Sequence, residues 1–255
     1  MAKKIIIGNW KMHKTAKESV KDAHELKKLV KDVDTVDIVL CPTFTALPLV
    51  EKELEDSNIK LGAQNMHYED EGAYTGEVGA KMVKEFAKYV ILGHHERRQY
   101  FNEDNETVNK KVKSALEHNL IPIICVGESL EEREGKSTKK VLEYQLTTVF
   151  KGVAKEEAAK CIVAYEPVWA VGTGKVANLA QIDEAHSFVK HLLISLYNEE
   201  TEKKIRICYG GSVNEENIIG IITTEHVDGV MVGTASPDPK EFSAIIHYKD
   251  QLKEQ

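Results

Sequence analysis

Residues 162–171 read Ile-Val-Ala-Tyr-Glu-Pro-Val-Trp-Ala-Val, a short apolar run that ends in a charged residue and a proline. The apolar part has the length of a strand, and the residues after it have the composition of a loop. Seven similar runs occur along the chain: Ile5–Gly8, Asp37–Cys41, Ile59–Ala63, Tyr89–Leu92, Ile121–Val126, Ile205–Tyr209 and Gly229–Val232. These runs are continuously apolar rather than alternating, which is typical of a parallel sheet buried on both faces.

Amphipathic segments separate the strand-like runs. Apolar residues recur every three or four positions at Val20, Ala23, Leu26 and Val30, and again along 182–196. Such spacing predicts helices with one buried face. Eight strand–helix repeats without a Pro-, Gly- or Ser-rich linker predict an α/β fold: a single (β/α)8 barrel of residues 1–255, with eight parallel strands inside an outer ring of helices. A doubly wound open sheet is the alternative, but no GxGxxG turn follows the first run.

Composition excludes several classes of protein. The chain has 255 residues, with 34 Lys and Arg against 41 Asp and Glu, and a formal net charge of −7. An acidic chain does not suit nucleic-acid binding, and no apolar run approaches the ~20 residues of a membrane span. The first apolar stretch is too short for a signal-peptide core. Four scattered cysteines without a CxxC pair indicate reduced thiols, so we expect a cytoplasmic protein that contacts neither nucleic acid nor membrane.

Polar residues cluster where the predicted strands end. Asn9-Trp10-Lys11 follows the first run, Gly93-His94-His95-Glu96-Arg97-Arg98 the fourth, Glu166-Pro167 the sixth, Gly210-Gly211-Ser212 the seventh and Gly233-Thr234 the eighth. In a (β/α)8 barrel all these ends meet at one face, where active sites of this fold lie. The sequence therefore predicts one polar site at that face.

Four of these segments, in this order, resemble the triosephosphate isomerase family over essentially the whole chain. They are NWKM from residue 9, GHHERR from residue 93, AYEPVWAVGTG from residue 164 and YGGSV from residue 209. The resemblance implies a homodimeric enzyme of glycolysis and gluconeogenesis that interconverts dihydroxyacetone phosphate and D-glyceraldehyde 3-phosphate without a cofactor.

The chemistry of that reaction gives each polar residue a role. Moving a carbonyl by one carbon requires a base that removes the α proton and groups that stabilise the enediolate. The resemblance implies that Glu166 is the base, that His94 is a neutral electrophile, and that Lys11, positioned by Asn9 and paired with Glu96, is the cation. Salt-bridged, structural or solvated residues of the same types are the alternatives.

The resemblance also implies a phosphate site and a closing lid. Backbone amides at Gly172, Ser212, Gly233 and Thr234 would hold the phosphate, helped by a short helix that we expect to begin near Ser236. The lid spans Pro167 to Ala177, and Asn178 is the predicted N-cap of the next helix. It contains Pro167, Val168, Trp169, Ala170, Val171, Gly172, Thr173, Gly174 and Lys175, with Glu128 and Tyr209 as the residues that hold it in its two positions.

A protruding third loop is implied as the dimer contact. Gln64 and Asn65 lie at its base, and Tyr74, Thr75, Gly76 and Glu77 lie towards its tip. Thr75 would reach the Asn9 and Lys11 region of the neighbouring subunit. A solvent-exposed Ω-loop is the alternative.

The match departs from the family at several positions. His95 replaces a serine close to the base, so a bulkier, titratable ring is expected to displace Glu166. Thr234 replaces a glycine, and its backbone would be strained if φ were positive. Pro237 stands where leucine is usual, and we expect it at the first position of the helix near Ser236. His13, commonly Asn in relatives, is less central.

Three rival functions remain at the level of sequence. The first is a metal site at His94 and His95, which we do not expect because neighbours on an extended strand point to opposite faces. The second is a phosphate-binding aldolase or lyase, but neither a Schiff-base lysine within a strand nor a metal triad appears. The third is a catalytically impaired relative that binds a phosphate ligand or acts as a scaffold, supported by His95 and Thr234 alone.

Overall fold

The computed structural model describes residues 3–171 and 176–252 and contains a closed barrel of parallel strands in chain order, with the last strand paired to the first. The strands are β1 Ile5–Asn9, β2 Asp37–Cys41, β3 Ile59–Ala63, β4 Tyr89–Leu92, β5 Ile121–Val126, β6 Ile162–Tyr165, β7 Arg206–Tyr209 and β8 Gly229–Val232. The predicted fold class is confirmed. The predicted strand boundaries differ only at the end of β1 and the start of β7.

Helices surround the barrel. They are α1 Ala16–Leu29, α2 Leu47–Glu53, α3 Ala80–Lys84, α4 His95–Tyr100, α5 Asn105–Glu117, α6 Leu130–Glu134, α7 Thr138–Val149, α8 Lys155–Ala158, α9 Leu179–Leu196, α10 Glu199–Glu202, α11 Ile218–Ile222, α12 Pro239–Ile246 and α13 Tyr248–Gln251. In the described ranges, no helix has the length and apolarity needed to cross a membrane.

Both faces of the strands are buried, which explains their continuously apolar sequences. Along β1, Ile5 and Ile7 point into the barrel, while Ile6 between them packs towards the helices. The interior also contains Cys41, Cys125 and Cys208, all buried free thiols. Because successive side chains of a strand point to opposite faces, one run of residues fills two cores.

Local sequence signals set the helix that follows the predicted lid. Asn178 accepts a hydrogen bond from the backbone of Gln181, and the Gln181 side chain in turn accepts one from the Asn178 backbone. This reciprocal arrangement is a capping box, and it fixes the start of α9. The prediction of Asn178 as N-cap is confirmed.

Candidate active site

A cleft of about 290 Å³ lies at the carboxyl ends of the strands. It brings together Asn9, Lys11, His94, Glu166, Ser212, Gly233 and Thr234, which we predicted from scattered segments. Further lining residues are Val171, Gly210, Gly211, Val213, Asn214, Met231, Ala235 and Glu241. Parallel strands place all their carboxyl ends at one face, so the closed barrel gathers these residues.

The two histidines follow β4 side by side. Gly93 has a φ of +69°, a backbone conformation that suits glycine, and there the chain leaves the strand direction. His94 is then the N-cap of α4 and His95 its first residue. Their ring centroids lie 4.2 Å apart at an angle of 38°. The expectation that the rings point to opposite faces was therefore wrong, because neither residue is on an extended strand.

Glu166 contacts both histidines and is almost fully buried, with 2% of its surface exposed. Its Oε1 is 3.0 Å from His94 Nε2 and 3.4 Å from His95 Nδ1, and its Oε2 accepts a 3.1 Å hydrogen bond from the backbone N–H of His95. Burial raises the pKa of the Glu166 carboxyl, but the contacts with His94 and His95 outweigh it and hold the pKa well below its ordinary value. The carboxylate is therefore ionised, as a base must be, although the contacts that lower its pKa also weaken it as a proton acceptor.

Hydrogen bonds assign the tautomer of His94. Its Nδ1 accepts a 3.3 Å hydrogen bond from the backbone N–H of Glu96, so a neutral ring carries its proton on Nε2. The Glu96 carboxylate also lies 3.5 Å from Nδ1, but its main partner is Lys11 at 2.7 Å. The remaining proton of His94 therefore points to Glu166 and the cleft.

Lys11 is fixed through both its backbone and its ammonium group. Its N–H donates to Asn9 Oδ1 at 3.0 Å, and its carbonyl accepts a 2.8 Å hydrogen bond from Gln64 Nε2. The ammonium pairs with Glu96, as expected, and this pairing outweighs burial and lowers the pKa of the Glu96 carboxyl. The neighbouring Lys14 packs over the ring of Trp10.

The opposite side of the cleft is built from turns. Neither Gly233 nor Thr234 has a positive φ, so Thr234 fits without backbone strain. No helix begins near Ser236, contrary to expectation: residues 234–237 form turns, and α12 begins at Pro239 behind its N-cap Asp238. Pro239 rather than Pro237 therefore has the first helical position. The helix N-terminus predicted to support the phosphate is absent from this described segment.

The predicted lid is described only at its two ends. Residues 168–170 form a short 3-10 helix after Pro167, and Ala170 O accepts a 2.9 Å hydrogen bond from Ser212 Oγ. Glu128 Oε1 accepts hydrogen bonds from Trp169 Nε1 at 2.9 Å and from Tyr165 at 3.1 Å. Tyr209 is buried beside the cleft. Gly172, Thr173, Gly174 and Lys175 lie outside the described residues.

The third loop projects from the barrel. Residues 71–77 are exposed, including Tyr74, Thr75, Gly76 and Glu77. Tyr74 packs on the ring of His67 with centroids 4.5 Å apart, whereas Gln64 and Asn65 at the base point inward. Gln64 also hydrogen-bonds the carbonyl of Cys41, so the base of the loop is joined to the strand ends that carry the cleft.

One side-chain group in the described ranges has the spacing of a metal site. His94, His95 and Glu96 present ligand atoms within 4.8 Å of one another. Glu96 already pairs with the Lys11 ammonium, and His94 Nδ1 already accepts a hydrogen bond, so a second cation would displace both contacts. We assign these three residues to the candidate active site rather than to a metal site.

Some lining residues were not predicted. Met231 follows the alternation rule for interior strand residues and could have been found from it. Asn214 lies two positions after Ser212, in the segment that follows β7. Glu241 enters the cleft from α12, and no local pattern in the sequence indicates that contact.

Comparisons with known proteins agree with this geometry. A sequence model of the family described as triosephosphate isomerase matches residues 4–249. A triosephosphate isomerase of Clostridium botulinum strain Okra is 54% identical over 245 residues, which cover 96% of this chain and 98% of that protein. The triosephosphate isomerase of Clostridium beijerinckii is 49% identical over 249 residues, covering 97% and 100%.

A solved structure gives the same result. The crystal structure of triosephosphate isomerase from Bartonella henselae superposes with a TM-score of 0.89 at 36% identity, covering 98% of this chain and 100% of that one. Fold, cleft and sequence similarity over nearly the whole length therefore agree, and the chain belongs to the triosephosphate isomerase family.

Proposed function

We propose that the cleft interconverts dihydroxyacetone phosphate and D-glyceraldehyde 3-phosphate, with Glu166 as the base and His94 and Lys11 as the groups that stabilise negative charge. The chain is an isomerase, and its reaction belongs to glycolysis. The observation that carries the assignment of residues is the buried Glu166 carboxylate facing the Nε2 proton of His94, with the Lys11 ammonium in the same cleft. Nothing in the comparisons favours the impaired, ligand-binding alternative.

The proposed reaction moves one carbon-bound proton. Glu166 takes the proton from C1 of dihydroxyacetone phosphate, and the C–H electrons form the C1–C2 double bond while the carbonyl oxygen becomes negative. His94 Nε2–H and the Lys11 ammonium stabilise that oxygen. Glu166 then returns the proton to C2, and the hydroxyl proton on O1 moves to O2, which leaves the aldehyde. Every proton comes from the substrate, so this route uses no cofactor.

Phosphate binding falls to the turns across the cleft from Glu166. Ser212, Gly233 and Thr234 line that side, and a Cβ added at Gly233 would lie 3.1 Å from Lys11 Cε. A backbone without a side chain there lets the phosphate approach both the amides and the lysine. Gly172 is proposed as a further contact once the lid is closed.

The lid would protect the enediolate from water. Glu128 holds the Trp169 end through a 2.9 Å hydrogen bond, which supports a role for Glu128 in one position of the lid. Tyr209 Oη is buried and has no hydrogen-bond partner among the described residues, which suits a group that receives the lid in its other position. Pro167, Val168 and Trp169 form the first hinge of the lid in this proposal, and Lys175, Val176 and Ala177 form the second.

We further propose that the enzyme is a cytoplasmic homodimer of a single barrel domain. The exposed loop at residues 71–77 and the link from Gln64 to Lys11 support a contact that joins a partner to the active site. The buried free cysteines suit a reducing compartment.

The test is steady-state kinetics in both directions with a coupled assay. Glu166→Gln keeps the shape of the side chain but removes the base, so we expect kcat to fall by about 10²–10⁴-fold. Glu215→Gln, which removes an exposed carboxylate on the turn after Ser212, is the matched control and should leave kcat unchanged. An enediolate mimic should bind the wild type far more tightly than inorganic phosphate. An inactive wild type without that preference would contradict the proposal.

A further inference from the structure

His95 makes two contacts with the proposed base. Its backbone N–H donates to Glu166 Oε2 at 3.1 Å, and its ring nitrogen Nδ1 lies 3.4 Å from Oε1. Only 11% of the His95 side chain is exposed, and the tilted contact with the His94 ring restricts the orientation of the His95 ring. Any residue at position 95 would offer the backbone contact, but the ring contact comes from the histidine.

Glu166 and His94 leave no room for a substrate between them in this arrangement. Their Oε1 and Nε2 atoms are 3.0 Å apart, the distance of a direct hydrogen bond. In the proposed reaction the Glu166 carboxylate takes a proton from carbon, while His94 Nε2 faces an oxygen of the same substrate. The carboxylate must therefore move away from His94 when substrate binds, and its contacts with His95 oppose that movement.

The charge on the His95 ring decides how strongly Glu166 is held. Nδ1 is buried and makes no hydrogen bond of good geometry within the described part of the chain. A neutral ring with Nδ1 unprotonated offers the carboxylate no donor there. A protonated ring would place an N–H and a positive charge against a carboxylate that is shielded from water. Histidine ordinarily changes its charge between about pH 5 and pH 8.

The other charged and titratable groups around the two rings have partners of their own. The Lys11 ammonium from the end of β1 neutralises Glu96, which leaves Glu166 as the carboxylate facing His95. Arg98 on α4 hydrogen-bonds the carbonyls of Gly93 and Cys125. Three groups face His95 directly: Glu166 after β6, and His94 and Glu96 on its own segment. Three more act through a neighbour: Lys11 after β1 pairs with Glu96, while Arg98 on α4 and Cys125 on β5 interact with Glu166.

We propose that His95 is a positioning residue that holds Glu166 against His94 in the substrate-free enzyme, so that the charge on its ring controls how readily the base is released to substrate. The inference rests on the proposed function of the cleft. Because kcat/KM reports the free enzyme and kcat the enzyme–substrate complex, the effect should fall on kcat/KM.

The test compares wild type, His95→Ser and His95→Asn between about pH 6 and pH 9. Serine removes the ring, whereas asparagine keeps a polar group near the position of Nδ1 that has no charge at any pH. Dividing kcat/KM of His95→Ser by that of wild type cancels the ionisation of the substrate. We expect this ratio to rise about tenfold from the alkaline to the acidic end, since a close opposite charge favours an ionised group by tenfold or more.

The ratio of kcat/KM between His95→Ser and His95→Asn should stay constant with pH. The ratio of kcat between each variant and wild type should change with pH much less than the corresponding ratio of kcat/KM. A structural role for His95 would lower both parameters equally at every pH. If His95→Ser does not fold, His95→Asn against wild type gives the same comparison. If the wild type is active and the ratio of kcat/KM between variant and wild type changes by less than twofold with pH, the role of His95 is overturned but the proposed function is not. An inactive wild type overturns the proposed function as well.

Discussion

Lys11 shows how a single residue is fixed by groups far away in the chain. Its backbone has a φ of +51°, a left-handed conformation that costs a residue with a side chain about 1–3 kcal/mol. Asn9 Oδ1 holds its N–H, Gln64 holds its carbonyl, and Glu96 holds its ammonium. Contacts from three strand ends therefore maintain an unfavourable backbone, which is the expected arrangement where a charge must be preorganised.

The two tyrosines that end β6 and β7 allow the lid proposal to be tested. Tyr165 and Tyr209 are register partners, and both are buried. Tyr165 donates to Glu128, whereas Tyr209 Oη has no partner in the described ranges. Tyr209→Phe should leave the free energy of unfolding nearly unchanged, but lower kcat/KM about fivefold to tenfold through the loss of a hydrogen bond to the closed lid.

Tyr165→Phe is the control for that variant. It removes a hydrogen bond to a carboxylate, so it should lower the free energy of unfolding by about 1.5 kcal/mol or more. Urea unfolding and steady-state kinetics measure both effects. A Tyr209→Phe enzyme with wild-type kinetics would rule out this tyrosine as a lid contact.

Side-chain identities in the cleft were predictable, but their mutual geometry was not. Glu166, His94 and Lys11 each follow an apolar run, and the barrel rule places such residues at one face. The ring contact between His94 and His95 depends on the positive φ of Gly93, and Glu241 reaches the cleft from a helix far along the chain. Such contacts depend on tertiary packing, which local patterns do not specify.

At the level of elements, strands were easier to predict than helix ends. A strand buried on both faces is apolar throughout, so its limits coincide with changes in composition. The helix expected near Ser236 begins instead at Pro239, because Asp238 accepts hydrogen bonds from the backbone of Lys240 and Glu241. That Asp-Pro signal is local and could have been recognised as an N-cap followed by a first-position proline.

A buried carboxylate joins the elements behind the histidines. Glu103, between α4 and α5, binds Lys111 at 2.5 Å and Arg97 at 2.8 Å, and accepts a 3.2 Å hydrogen bond from the N–H of Gly93. Lys111 also donates to Asn65 at the base of the third loop. The carboxylate therefore connects the turn that orients His94 to the loop proposed for the dimer.

Removing this carboxylate should destabilise the protein. Glu103→Gln leaves the buried Lys111 ammonium without its countercharge, which costs about 3–5 kcal/mol. Glu199→Gln breaks an exposed pair with Lys203 and is the control, with an expected change below about 1 kcal/mol. Urea unfolding at neutral pH measures both, and equal effects in the two variants would contradict the prediction.

The stabilisation that Glu103 contributes depends on pH in one direction. Burial raises the pKa of the Glu103 carboxyl, but Lys111 and Arg97 outweigh it, so the folded-state pKa lies below the ordinary value. The stabilisation is therefore complete above the unfolded-state pKa of about 4.3 and is lost as the pH falls through the folded-state pKa. The difference in stability between wild type and Glu103→Gln should narrow below about pH 4.

At the scale of the whole molecule, the net charge of −7 disfavours the approach of an anionic substrate. The described cleft contains Lys11, while Glu96 neutralises part of its charge and Glu166 adds a negative one. The bulk field of the protein therefore does not attract a phosphate dianion. Affinity has to come from close contacts with the lysine and backbone amides, which favours an enclosed site with a lid over an open one.

The exposed third loop allows the proposed assembly to be tested. Thr75 and Gly76 are exposed at its tip, Met12 next to Lys11 is 93% exposed, and Tyr74 is 43% exposed. Exposed apolar side chains beside a site residue and on a protruding loop are expected where a second subunit covers them. A partner loop packed there would exclude water from the Lys11 region, so assembly and activity should be lost together.

Thr75→Arg places a long charged side chain at the tip of that loop. We expect the wild type to sediment as a dimer and Thr75→Arg as a monomer at the same protein concentration. We also expect kcat/KM of the variant to be lower by about tenfold or more, because a misplaced site loses rate steeply. Thr35→Arg makes the same change at an exposed position between α1 and β2, at the opposite end of the barrel, and should alter neither property. Analytical ultracentrifugation and kinetics on the same samples measure the two effects. A Thr75→Arg protein that is monomeric yet fully active would show that the partner subunit does not complete the site.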